Sequence, residues 1–299
     1  MKGVKEIKGR IRAVDSVAKI TLAMQLVSAS KMKRSQDFAI GGRPYLLSLA
    51  EVIARLPKKK VDKNIHPFFV DRTPVQRRCI IVVGTDRGLC GVLNNNLFRQ
   101  LSKGEDADGK CSYISVGKKA MQFLSRNGYD LIASFFVNDK VQYHEVQGIG
   151  EFVSQKFLAG EIDTVEVLYQ RFVNTLKYVP VLQKILPMSD FYEEFSGMLA
   201  AAQLDFETPS FDPRPLIFEP SVREIVDHIA SIFLKYNLHQ VLLEAKASEH
   251  SARMVAMKSA TDNAEALGQE LRLEYNKARQ YAITNEIIEL AVASGERES

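Results

Sequence analysis

Hydrophobic positions in the first forty residues recur at helical spacing, with Val4, Ile7, Ile11, Val14 and Ala18 alternating steps of three and four. The pattern predicts a helix from Met1 to Ile40, a stretch free of proline and rich in helix formers, about 60 Å long. Polar Thr21, Gln25 and Ser28 occupy the continuation of that seam, while apolar residues shift to Ile20, Met24 and Val27. The expectation is an imperfect coiled coil whose partner-facing stripe drifts along its length. The helix is expected to continue through Gly41-Gly42-Arg43-Pro44 to Leu56, with the proline as the place for a kink, and Pro57 with Lys58-Lys59-Lys60 reads as an exit loop.

From Cys79 the period changes. CIIVVG is a short β-rich run ending in glycine, and GTDRGLCGVLNNNLFRQL leads from it into a helix. SYISVG, KKAMQFLSRNG and YDLIASFFV repeat the strand–helix–strand order, a helical stretch spans Val141 to Leu158, and TVEVLYQRFV and YVPVLQKILPM read as further strands. Such alternation implies a mostly parallel sheet covered by helices, a Rossmann-like α/β domain inserted between long terminal helices. Residues 188–215, with three prolines and no period, read as a linker.

Residues 221–294 contain no proline and one glycine, Gly268, and open with Pro220 and the capping-box pattern Ser221-x-x-Glu224. One helix of about 110 Å is the simplest reading, and its natural partner is the N-terminal helix. Its first part is apolar at Ile225, Ile229, Ile232, Phe233, Tyr236, Val241, Leu242 and Ala245; beyond residue 246 it is rich in alanine, at 252, 256, 260, 264 and 266. Small side chains let two helices approach closely, and alanine favours helix, so a thin stiff rod is expected. The organisation expected is 1–60 as the first long helix, 61–220 as the α/β domain with its flanking loops, and 221–299 as the second long helix.

Composition narrows the class. The chain has 299 residues, 46% hydrophobic and 25% charged, with no apolar run approaching a membrane span. Charges at helical spacing in MKGVKEIKGRIRAV argue against a secretory signal. Cys79, Cys90 and Cys111 form no C-x-x-C pair, which argues against a disulfide framework or zinc site and fits a reducing cytoplasm. Net charge is +4, but residues 1–60 carry +10 while 61–220 and 221–299 each carry −3. A basic first helix calls for an acidic partner: nucleic acid, anionic lipid or acidic protein loops.

No catalytic constellation stands out. GTDRGLCG, with Gly84, Gly88 and Gly91, lacks the Gly-Lys-Ser/Thr ending of a phosphate loop and does not match G-x-G-x-x-G, so it reads as a tight strand-to-helix turn. Cys90 beside Arg87 reads as a buried small residue before a reactive thiol. His66, His144, His228, His239 and His250 have no metal-ligand spacing, and Glu193-Glu194 has no basic group arranged around it. Lys19, Lys31, Lys33 and Arg34 supply cations for phosphates, but the first helix has no aromatic before Phe38 for stacking on bases.

The stretch MKGVKEIKGRIRAVDSVAKITLAMQLVSASKMKR resembles the N-terminal helix of the gamma subunit of F-type ATP synthases, of the bacterial type. GTDRGLCGVLN, LIFEPS, SEHSARMVAMKSATDNA and YNKARQYAITNEIIEL resemble further blocks of that family in the same order, covering essentially the whole chain. One departure follows Glu289, where the family carries Gly-Ala and this chain has Ala293-Ser294.

The resemblance implies a rotor shaft without nucleotide, cofactor or metal of its own. Its paired helices would form an asymmetric coiled coil inside a hexamer of alpha and beta subunits. Its α/β domain would rest on the membrane c-subunit ring beside the epsilon subunit, peripheral on the cytoplasmic face of the cell membrane. Ion flow through the ring would turn the shaft and drive ATP synthesis, or hydrolysis would turn it in reverse. Carried over by position, Met24 and Arg253 would meet the catalytic subunit, as would Arg279, Gln280, Thr284 and Glu286 near the tip. Lys19, Lys31 and Lys33 would face acidic loops of the same hexamer, and Phe218 and Glu219 the rotor ring or epsilon. The competing readings from the residues are a stand-alone α/β nucleotide-binding protein with helical arms, and a basic coiled-coil scaffold for nucleic acid.

Overall fold

A computed structural model describes residues 2–42, 44–45, 48–49, 52, 66–103, 111–188 and 219–295. The expected exit loop at 57–60, most of the 188–215 linker, Glu193-Glu194 and Phe218 lie outside the described residues. The elements in chain order are α1 (Lys2–Gly41), β1 (Arg78–Val83), α2 (Leu93–Lys103), β2 (Cys111–Val116), α3 (Lys118–Arg126), β3 (Leu131–Phe135), α4 (Tyr143–Leu158), β4 (Thr164–Asn174), β5 (Lys177–Leu186) and α5 (Val222–Gly295). Two compact units emerge: Met1–Ala29 with Arg253–Ser299, and Ser30–Ala252.

The larger unit is a five-stranded sheet of order β3-β2-β1-β4-β5. β1 to β4 run parallel and β5 returns antiparallel along β4. β1 and the start of β4 read as nearly continuous apolar runs because helices cover both faces of the sheet. One face buries Ile80, Val82, Tyr113 and Leu168 against Leu97 and Leu101 of α2 and Ala120 and Leu124 of α3. The other buries Ile81, Ile114, Val165 and Val167 against Val146, Val153 and Phe157 of α4 and Phe233, Leu234, Val241 and Leu242 of α5. The apolar start of α5 is therefore the central helix of this core. Pro180 sits in β5 at the sheet edge, where a missing N–H leaves no ladder bond unmade.

α5 is a single helix of 74 residues. One half of the expected capping box forms at its start, where the Glu224 N–H donates to Ser221 Oγ at 3.2 Å, and Glu224 Oε1 accepts from the Ser221 hydroxyl.

The smaller unit is an antiparallel pair of helices. Thr21 and Thr261 share a hydroxyl–hydroxyl hydrogen bond of 2.7 Å, and Arg272 donates to Asp15 at 3.0 Å. A Cβ on Gly268 would stand 3.7 Å from Val14. Those contacts fix one antiparallel register, in which Val14 lies opposite Gly268 and Thr21 opposite Thr261. Carried on, it brings Lys2 level with Gln280, so the last turns of α5 run past the end of α1.

This geometry corrects the expected drift of the seam. Thr21 and Ser28 are buried, at 8% and 3% exposure, whereas Ile20 and Val27 are 59% and 54% exposed. The heptad begun at Val4 continues unbroken through Thr21, Gln25 and Ser28. Polar residues hold it there, facing a stretch of α5 on which Met257, Thr261 and Ala264 are buried. The Ser28 hydroxyl donates to Met24 O, and of Thr21 and Thr261 one donates to the other while that other donates to its own helix, at Val17 O or Met257 O.

Candidate functional site: the outer face of the coiled coil and the filled crevice

Thr21, Ser28, Thr261 and Ala264 line the inside of the helix pair together with the larger Met257 and Leu271, and further large apolar residues stand outside. On α1 the exposed apolar side chains include Val17, Ile20, Leu22, Leu26 and Val27; on α5 they include Leu267, Leu273, Tyr281, Ile283, Ile287 and Ile288. Ordinary amphipathic helices bury such residues against each other. Single exposed apolar residues are commonplace, but seven on the helix pair and four more on α5 past the level of Lys2 mark a surface that meets another protein.

The residues assigned from sequence fall at different depths. Lys19 is exposed and Met24 is partly exposed on α1. Lys31 donates to Asp139 at 2.6 Å, and Lys33 pairs with Asp37 one turn on at 2.9 Å, so both already have partners within this chain. Arg253 is buried, at 8% exposure. Arg279, Gln280, Thr284 and Glu286 are all exposed, in the stretch of α5 that reaches the end of α1 and passes it. Glu219 is exposed just before α5.

The crevice at which α/β folds bind nucleotides lies at the carboxyl ends of β1 and β4, where the strand order reverses. Here its parts are committed to one another. Asp86 accepts from the Lys118 N–H at the start of α3, the position an anion would take. The Thr85 N–H donates to Asn94, the Asn94 amide donates back to the Thr85 hydroxyl, and that hydroxyl donates to Arg87 O. Gly84 and Gly117 are required by packing. A Cβ on Gly84 would lie 2.9 Å from Ala120, and one on Gly117, whose φ is +92°, would lie 2.5 Å from the Gly84 carbonyl oxygen. GTDRGLCG is thus a turn that seats two strand ends against α3. Lys246 and Glu249 of α5 line the small space that remains, together with Gly84, Thr85 and Gln170. Cys90 is buried with Leu93 and Ala252, and burial pushes the Cys79 thiol, within β1, up to about 12.

Sequence reading missed a charged cluster at the same place. Lys246, 8% exposed, lies 3.3 Å from Asp86, 3.3 Å from Glu249 and 4.0 Å from Asp139, and His250 lies 3.6 Å from Asp139. Burial works against the Lys246 charge but is outweighed by Glu249, Asp86 and Asp139, which raise its pKa. Burial likewise opposes the Asp139 charge, and the Lys31 hydrogen bond with the nearby His250, Lys246 and Lys31 charges overcomes it and holds the carboxyl below its usual range. The available signal was a lysine at 246 inside a run of core residues, Val241 to Ala247.

Among the described residues, no helix is long and apolar enough to cross a membrane, and no group of His, Cys, Asp and Glu is placed to hold a metal ion.

The smaller unit is an antiparallel coiled coil, and the larger is an α/β layer whose crevice at the strand ends is lined by side chains of its own helix α5. A family profile described as ATP synthase matches residues 3–295. ATP synthase gamma chains of Opitutus terrae and Methylacidiphilum infernorum are each 40% identical to this chain, over 293 and 298 residues and 98% of both partners. The fold is shared with the rotor of the Euglena gracilis mitochondrial ATP synthase, at TM-score 0.61 and 18% identity over 94% of this chain and 99% of that one. It is shared also with the central stalk of the Tetrahymena thermophila mitochondrial enzyme, at TM-score 0.60 and 23% identity over 81% and 99%. The chain belongs to the ATP synthase gamma-chain family.

Proposed function

We propose that the chain is the central rotor shaft of an F-type ATP synthase, coupling ion flow through a membrane ring to ATP synthesis or hydrolysis in a hexamer of alpha and beta subunits. The observation that supports this is the antiparallel helix pair whose seam includes the short side chains of Thr21, Ser28, Thr261 and Ala264 and whose outside carries exposed Val17, Ile20, Leu22, Leu26 and Val27. A rod that turns inside a close-fitting protein ring needs a narrow, stiff centre and an outer surface that slides on apolar walls.

In this reading the chain does no chemistry itself. Catalysis belongs to the hexamer, and the shaft contributes by pressing on each catalytic subunit in turn. The exposed Arg279, Gln280, Thr284 and Glu286 meet that subunit near the tip, with Lys19 and Met24 further along. Lys31 and Lys33 contribute there only as far as their pairs with Asp139 and Asp37 allow, and Arg253 acts from within the helix pair. Residues 61–220, with Phe218 and Glu219, face the c-ring and epsilon, so the protein is peripheral, on the cytoplasmic face of the cell membrane. Residues 1–60 and 221–299 supply the shaft, of which Val222 to Ala252 also packs in the core of the α/β unit.

Co-expression with the alpha and beta subunits of the same organism tests the proposal. A stable complex with sustained ATPase activity that depends on this chain is expected. Failure to assemble, or stoichiometric ATP binding by the isolated chain in calorimetry, would count against it.

A further inference from the structure

Six charged or titratable groups from four segments meet at the carboxyl edge of the sheet in the larger unit. They are Lys31 on α1, Asp86 after β1, Asp139 after β3, and Lys246, Glu249 and His250 on α5. Asp139 is their hub: one carboxylate oxygen accepts from Lys31 at 2.6 Å, and the other lies 4.0 Å from Lys246 and 3.6 Å from His250. A buried ion pair is weak evidence for stability, since desolvation offsets much of the attraction, and its better-attested role is to fix one arrangement over others.

We propose that Asp139 pins α1 and α5 together to the β3–α4 loop, a rotational lock that stops either helix from turning about its own axis against the sheet. Apolar contacts alone do not supply this. Val241, Leu242 and Ala245 hold α5 down on the core, but neighbouring apolar residues could replace them after a small rotation at modest cost. Turning α5 would instead withdraw the buried Lys246 from Asp86 and Asp139, leaving it only Glu249, which turns with it. Turning α1 would break the Lys31 bond to the same carboxylate. Neighbouring contacts support the pin. The Ser248 hydroxyl donates to Gln170 O and that of Ser251 to Thr175 O, so α5 is also tied to β4 and the hairpin after it.

The lock concerns the isolated chain, so its test does not depend on the shaft reading. Hydrogen exchange would be followed by mass spectrometry on the full chain and on the Lys31→Met, Lys246→Met and Asp139→Asn variants. Lys31→Met is expected to speed exchange about tenfold in residues 30–41 only, and Lys246→Met in residues 243–252 only. Asp139→Asn should loosen both segments and the 136–142 loop together, with β1 and β2 unchanged. Loosening of one helix alone by Asp139→Asn, or no change in either, would overturn the proposal. Should Asp139→Asn fail to fold, the double Lys31→Met/Lys246→Met variant decides. Effects that depart from additivity support a shared hub, and strictly additive ones contradict it.

Discussion

Replacing Gly268 with alanine probes the close approach of α1 and α5 directly. A Cβ at this position would stand 3.7 Å from both Val14 Cγ1 and Asp15 Oδ1, ordinary van der Waals contact. The new methyl therefore needs no rearrangement. Alanine improves helix propensity over glycine by about 0.8–1.0 kcal/mol, and a buried methyl adds up to about 0.8 kcal/mol. Gly268→Ala should thus stabilise the helix pair by about 1–2 kcal/mol, a five- to thirty-fold slowing of exchange through local opening. Amide exchange of residues 261–275, and of the facing residues 7–21, reads this in the full chain. Gly268→Leu is the control with opposite sign, since a side chain too large for the gap costs about 1–3 kcal/mol. Faster exchange in Gly268→Ala would refute the reasoning, because it would mean the helices touch where the structure leaves room for a methyl.

Further outcomes follow from the larger unit and the tip. Gly117→Ala should destabilise the chain by about 2–4 kcal/mol in urea unfolding, because its φ of +92° and the 2.5 Å approach to Gly84 O admit no Cβ; a loss below about 0.5 kcal/mol contradicts that packing. Asp139 has a folded pKa below its usual 3.8, so its stabilisation is present above that value and is lost as pH falls through the lower folded one. The stability gap between the natural chain and Asp139→Asn should be flat from about pH 7 to 5 and close below about pH 4; a gap that widens in acid has the wrong sign. Alanine at Arg279, Gln280, Thr284 and Glu286 together should change the isolated chain's stability by no more than about 0.5 kcal/mol per site, since all four are exposed. The same change should lower ATPase-coupled output of the assembled complex, and equal output with and without it would remove these residues from the proposed contact.

Strands and long helices were legible for opposite reasons. β1 reads as CIIVV because both faces of the sheet are covered, and residues 222–295 read as helix because nothing in them breaks one. The α5 cap was legible as well, from Ser221 and Glu224 alone. The seam was misread because hydrophobicity was followed where size governs. Ser28 returns its hydroxyl to its own backbone and Thr21 bonds Thr261 across the pair, so both pack as short buried side chains while Ile20 and Val27 stand outside. A strict heptad through Thr21, Gln25 and Ser28 was present in the sequence for a reader who disregarded polarity. The ionic cluster was beyond such reading, since its members stand at 31, 86, 139 and 246–250 and only the topology brings them together. Arg253 read as an outward contact by position, yet it is buried.

The most direct test of the central claim fixes the alpha–beta hexamer to a surface and follows a probe attached to the α/β domain of this chain while ATP is supplied. The account predicts continuous rotation in one direction, with three pauses per turn for the three catalytic subunits, that stops when ATP is withdrawn. ATP hydrolysis at full rate with the probe stationary would contradict it.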